Sequence, residues 1–188
     1  MEDQSEEKQA FYRERDAALR KEASEAYWDV EHLEEEFIYF PKRITEACLA
    51  GREEEVALLL RRYDLLPLAI TGARIRQEKA DYEHARLRLS ALDNGFPFPE
   101  WADREKLQTW CEIEWGHLKE HCQEGMSALK RSLATRSSDG MLEDSLMVLH
   151  FTRWVNLQED TMHRLGAYKP MTHEAGSAPF ACESPEVE

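Results

Sequence analysis

Glycine and proline are scarce in this chain, with only 8 and 7 among 188 residues. Most of them stand between long periodic stretches, where helix punctuation belongs. No convincing run of strand-like alternation occurs, so the expected fold class is all-α. Cysteine is sparse as well: Cys48, Cys111, Cys122 and Cys182 include no CxxC pair. Cys111 and Cys122 would lie about 16 Å apart along one helix, too far to bridge each other. Reduced thiols packed as small hydrophobes are expected.

Long apolar runs are missing too, and none approaches the ~20 residues that a membrane-spanning helix needs. The N-terminal stretch MEDQSEEKQ is acidic and polar, where a signal peptide would be basic and then apolar. A cytoplasmic protein is expected. Positive charge is in short supply, with 24 Lys and Arg against 38 Asp and Glu and a net charge of −14. That balance disfavours direct nucleic-acid binding, which needs cations to displace phosphate counterions. It suits a protein that repels itself or meets a basic partner. The excess is uneven: residues 1–38 carry 13 acids and 5 bases, residues 39–92 carry 8 acids and 10 bases. The sequence holds no Walker A loop, no G-x-G-x-x-G and no G-x-S-x-G elbow.

What is present is helical periodicity. The spacing predicts a bundle of four long helices, at about 4–37, 67–92, 102–134 and 141–165, with a short helical hairpin inserted at about 42–64. In the first helix Tyr12, Leu19, Ala23, Ala26, Val30, Leu33 and Phe37 follow a 3-4 spacing that only Asp16 interrupts, as in a coiled-coil seam. Leu68, Thr71, Ile75, Glu78, Tyr82, Ala85, Leu89 and Leu92 repeat the pattern, and the two seams are expected to pack together. DNGFPFPEW (93–101) reads as a loop, with Trp101 or Asp103 capping the next helix. Residues 1–168 are expected to form one domain and 169–188 a flexible acidic tail.

The densest chemistry lies in CEIEWGHLKEHC (111–122). Projected at 100° per residue, Leu107, Cys111, Leu118, Cys122, Gly125 and Leu129 centre the apolar stripe, and Glu114 and His121 sit on its shoulder. Glu114 and His117 have the E-x-x-H spacing of carboxylate-bridged di-metal bundles, and His117 and His121 the i,i+4 spacing of a zinc pair. The nearest thing to a second such motif, Asp160-x-x-His163, places His163 opposite its helix's apolar face. That face is read as Leu142, Leu146, His150, Trp154, Leu157, Thr161 and Leu165, with His150 at its middle. A transition metal or small ligand would therefore be held by Glu114, His117, His121 and His150, with Glu78 facing them.

The stretch EACLAGREEEVALLLRRYDL (46–65) resembles the helix pair of an ankyrin repeat, with Ala47, Gly51, Glu55, Val56, Leu59 and Leu60 at the matching places. It lacks the T-P-L-H turn and has no neighbouring repeat, and one repeat cannot bury its own face. The resemblance implies a helical hairpin docked on the bundle and a protein-binding role.

The functional expectation is a non-enzymatic protein that needs no cofactor and binds a protein partner or a second copy of itself. Tyr12, Leu19, Val30, Leu33, Phe37, Tyr39, Phe40, Phe96 and Phe98 are the expected contact residues. Two alternatives are a metal- or ligand-binding bundle, enzymatic or not, and an acidic inhibitor that blocks a basic, nucleic-acid-binding partner.

Overall fold

A computed structural model describes residues 2–134 and 142–164, and the side chains of 6–134, 144–157, 159 and 160. Among them are four α-helices: α1 (Glu2–Leu49), α2 (Glu53–Asp93), α3 (Arg104–Ala134) and α4 (Leu142–Arg164), with a single 3-10 turn at Pro99–Trp101. The all-α bundle is as expected. The chain divides into two units, Met1–Trp154 and Val155–Glu188. The acidic tail expected at 169–188 lies outside the described residues. No described helix is long and apolar enough to cross a membrane.

The short hairpin expected at 42–64 is not a separate insert. α1 continues through Pro41 and α2 through Pro67, so the stretch resembling an ankyrin helix pair is the turn of one long antiparallel hairpin. A proline inside a helix removes a hydrogen bond and costs about 3 kcal/mol. Here each proline is exposed but directly follows a buried core residue, Phe40 before Pro41 and Leu66 before Pro67. Phe40, Ala47, Leu59 and Leu66 form a core, and Leu33, Phe37, Ile44, Val56 and Tyr63 pack around it. Each large side chain so buried contributes about 1.5–3 kcal/mol, and the sum offsets the two lost hydrogen bonds. The two prolines share a local device. Thr45 Oγ1 donates to the Pro41 carbonyl at 2.9 Å, and Thr71 Oγ1 to that of Pro67 at 2.7 Å.

The turn itself rests on Gly51. Its φ of +67° is a left-handed value that favours glycine after a helix C-terminus. From there the pairing of α1 with α2 steps outward. Phe37 stacks on Tyr63, with ring centroids 4.9 Å apart. Arg74 pairs with Glu34, Arg76 with Asp29, and Arg88 with Asp16. The seam of α1 is thus filled within the chain, by α2. Leu19, Ala26 and Val30 are buried, and Tyr12, Ala23, Leu33 and Phe37 half-buried.

α2 is the central helix of the larger unit, and both α1 and α3 pack on it. Four successive residues, Ile70 to Ala73, are buried, as a helix covered on more than one side requires. The loop after it opens at Gly95, whose φ is +83°. α3 begins at Asp103, whose Oδ1 accepts from the backbone N–H of Glu105 and Lys106 at 3.1 and 3.2 Å. This is an N-cap, worth about 1 kcal/mol. The stripe read from the sequence holds for Leu107, Leu118, Cys122, Gly125 and Leu129, all buried, whereas Cys111 is half-buried.

α4 departs from expectation. Leu146, Leu149 and His150 are exposed, and Val148 is the fully buried residue. The cause is a notch at Gly125, where a Cβ would meet Ile75 Cδ1 at 3.1 Å and the Val148 methyls at 3.1 and 3.2 Å. Gly72 likewise faces Asp144 and Met147. A small β-branched side chain fits that notch and a leucine does not, so helix proximity, rather than the leucine pattern, sets the rotation of α4.

Candidate functional site

α2 and α3 bring four of the chain's metal-ligating side chains together. On α3 the i,i+3 and i,i+4 spacings put Glu114, His117 and His121 on one face, and α2 presents Glu78 to them. His117 Nδ1 lies 3.6 Å from Glu78 Oε2 and 3.6 Å from Glu114 Oε2. His121 Nε2 lies 3.6 Å from Glu78 Oε1. Two further contacts orient the cluster. Trp110 Nε1–H donates to Glu114 Oε1 at 2.7 Å, and His121 Nδ1 meets Glu124 Oε2 at 3.0 Å.

The carboxyls titrate apart. Burial and the neighbouring Glu78 charge raise Glu114, despite the Trp110 hydrogen bond. Burial also presses Glu78 upward, but His121, Glu114 and His117 outweigh it and hold Glu78 low. Glu78 is therefore the ionised member and Glu114 the one that retains its proton more readily. One turn along α2, Asp81 is pushed up to about 6 by burial, then by the charges of Glu114 and Glu78. Glu78 is the main cause of a raised His121.

Of the four residues expected to hold a metal, three converge here: Glu114, His117 and His121. His150 does not join them. It is exposed and lines a recess of about 540 Å³ with Glu22, Arg76, Lys79 and Met147. The rotation of α4 about Val148 carries it to that side. Asp160 is exposed, and the side chain of His163 lies outside those described.

The nine expected partner-contact residues divide differently. Leu19, Val30 and Phe40 are buried, so none of them is open to a partner. The half-buried ones are engaged within the chain. Tyr12 packs on Phe96, Phe37 on Tyr63, Leu33 against the Phe40 core, and Phe98 under the Arg88 guanidinium. Only Tyr39 is exposed. The seam is satisfied by α2, and exposed apolar groups lie on the opposite face of α1.

A second polar cluster went unread in the sequence. Asp16 is wholly buried, and its Oδ1 accepts from His84 Nε2 at 2.7 Å and from Arg88 Nε at 2.8 Å. Arg20 pairs with its other oxygen. Burial pushes the Asp16 carboxyl up, but hydrogen bonds from Arg88, His84 and Arg20 outweigh it and hold it down to about 2. Burial lowers His84, which keeps it neutral and able to donate to Asp16. The Arg88 guanidinium is boxed by aromatic rings, 5.3 Å from Phe98, 5.0 Å from Trp101 and 5.9 Å from Trp110. Trp110 joins the two clusters, with its indole N–H on Glu114 and its ring against His84 and Arg88. The Asp16 cluster is closed: each strong donor is spent on the same carboxylate. The Glu78 cluster is open, since His117 is half-exposed at its rim.

Among the described residues these features define a helical protein with a buried structural ion network and an open carboxylate–imidazole cluster. Comparison with family models, curated proteins and solved structures gave no significant match.

Proposed function

We propose that the protein is a non-catalytic helical binding protein that captures a basic amphipathic segment of another protein on the outer face of α1. The observation that carries this reading is an array of exposed apolar groups. Tyr27, Ile38 and Leu49 recur eleven residues apart, and Trp28 and Tyr39 repeat the spacing one residue on. Eleven residues are close to three helical turns, so each set stays on one face. Trp28 is 57% exposed, Ile38 71% and Tyr39 56%. Single exposed apolar residues are ordinary, but here two pairs and a leucine repeat along one face at intervals of about 16 Å. Glu31 and Glu35 are exposed on the same face, and the chain's net charge of −14 opposes a second copy as the occupant. A face on which apolar groups alternate with carboxylates matches a helix that carries leucines interspersed with lysine or arginine.

The reading is tested by titrating the full chain with a synthetic helix of leucine and lysine, beside an isosteric leucine–glutamate peptide. Binding of the basic peptide alone, weakened at least tenfold in a Trp28→Ser/Tyr39→Ser variant and by added salt, is the expected result. Equal binding by that variant would overturn the surface. A stable dimer by light scattering that the variant dissolves would make a second copy the occupant instead.

A further inference from the structure

We propose that Glu78, Glu114, His117 and His121 form a binding site for a divalent transition-metal ion of the imidazole-preferring class, with zinc as its representative. The proposal is independent of the binding face on α1. The donors are two imidazoles and two carboxylates from two helices that the core already holds in register.

The spacing of the donors carries the inference. Both His117 separations and the His121–Glu78 separation are 3.6 Å, too long for a hydrogen bond. Simple pairs elsewhere in the chain reach a similar length, as Lys106–Asp103 does at 3.6 Å, so it is the convergence of several donors at this spacing that points to an ion. Around a tetrahedral zinc ion, bonds of about 2.0–2.1 Å place neighbouring ligand atoms roughly 3.4 Å apart. The observed separations match those of ligands around a central ion. Atoms from Glu78, Glu114 and His117 all lie within 4.8 Å of one another.

A second, separate observation is the support behind the donors. His121 Nδ1 is engaged by Glu124 at 3.0 Å; in the neutral tautomer with its proton on Nδ1, Nε2, the atom turned to Glu78, offers its lone pair to an ion. Trp110 holds Glu114 Oε1 at 2.7 Å, which leaves Oε2 facing His117. A carboxylate behind a ligating histidine and a hydrogen bond behind a ligating carboxylate are how proteins orient metal ligands. Half-exposed His117 provides the way in. Two imidazoles favour zinc, cobalt or nickel over magnesium and calcium, which select oxygen. The local sequence supplying this is E-x-x-H-x-x-x-H-x-x-E on α3 (114–124), completed by Glu78.

The experiment is a titration of the full chain, stripped of metal, with Zn²⁺ against a chromophoric chelator, and with Co²⁺ followed by its visible absorption. One equivalent of Zn²⁺, an intense tetrahedral Co²⁺ spectrum and no response to Mg²⁺ are expected. His117→Ala/His121→Ala should abolish that equivalent, Glu124→Gln should weaken it by about 10–100-fold, and His150→Ala should leave it intact. Circular dichroism checks that each variant keeps its helices, and His121→Gln serves should the double variant lose them. Binding below a tenth of an equivalent overturns the proposal. So does stoichiometric binding that survives loss of both histidines in a folded variant.

Discussion

His84 Nε2 lies 2.7 Å from Asp16 Oδ1, a contact between α1 and α2 across 68 residues of chain. With Arg88 on the same oxygen, it fixes which turn of α1 lies against which turn of α2. Removing the carboxylate while leaving Arg88 buried strands a charge, which costs roughly 3–5 kcal/mol. Asp16→Ala should accordingly lower the urea midpoint severely. Asp16→Leu combined with Arg88→Met, which removes both charges, should recover much of the loss. A double variant no better than the single one would show that the pair is not the source.

The same carboxyl sets an acid limit. Its folded value of about 2 lies below the ordinary 3.8, so ionisation favours the folded state. That contribution is complete above about pH 4 and is lost as pH falls from about 4 towards 2. At 1.36 kcal/mol per unit it amounts to about 2 kcal/mol. Thermal melts between pH 2 and pH 7 should show a steep decline in that window, and the decline should be shallower in Asp16→Asn.

Two glycines of α3 predict opposite signs. At Gly125 a methyl group would press on Ile75 and Val148 at 3.1 Å. Overpacking of about 1–3 kcal/mol exceeds the helix propensity that alanine adds, about 1 kcal/mol. Gly125→Ala should destabilise, and Val148→Ala in the same chain should relieve it. At Gly116 nothing lies within 4 Å, so Gly116→Ala should stabilise by up to about 1 kcal/mol. Chemical denaturation of the three variants tests the pair of signs.

The thiols should separate by rate. Cys48 is exposed, whereas burial pushes Cys111 and Cys122 up to about 11. At pH 8 iodoacetamide should label Cys48 well before either, because the thiolate is the reactive form. Peptide mapping over a time course reads the order. Early labelling of Cys122 would contradict its packing against the core.

How much of this could be read from the sequence follows from particular residues. The α3 stripe and the Glu114–His117–His121 face were legible because one helix's own period places them, with no partner needed. The Asp16 cluster was not, though its signal was present in a lone carboxylate in an apolar seam. Finding its partners required knowing that the hairpin folds at Gly51, which sets His84 and Arg88 opposite. Ending the first helix at about 37 and starting the next long one at about 67 hid that register, because local propensity does not see the core that begins at Phe40 and Leu66 beside the two prolines. The face of α4 was misjudged for a similar reason. Leucine count pointed one way, and the missing side chain of Gly125 decided otherwise.

The long hairpin also orders events in time. Closing Phe37 on Tyr63 near the Gly51 turn restricts a short loop, whereas bringing Asp16 to Arg88 first would close one of 72 residues, at greater entropic cost. Zipping from the turn therefore reaches the buried ion pair late, ahead only of the Tyr12 contacts with Ser90, Asn94 and Phe96. A chain slipped by one turn would arrive with Asp16 facing apolar groups and would have to unzip. The pair thus penalises a slipped register, and amides around Asp16 should gain protection later in pulsed hydrogen exchange than those around Phe40.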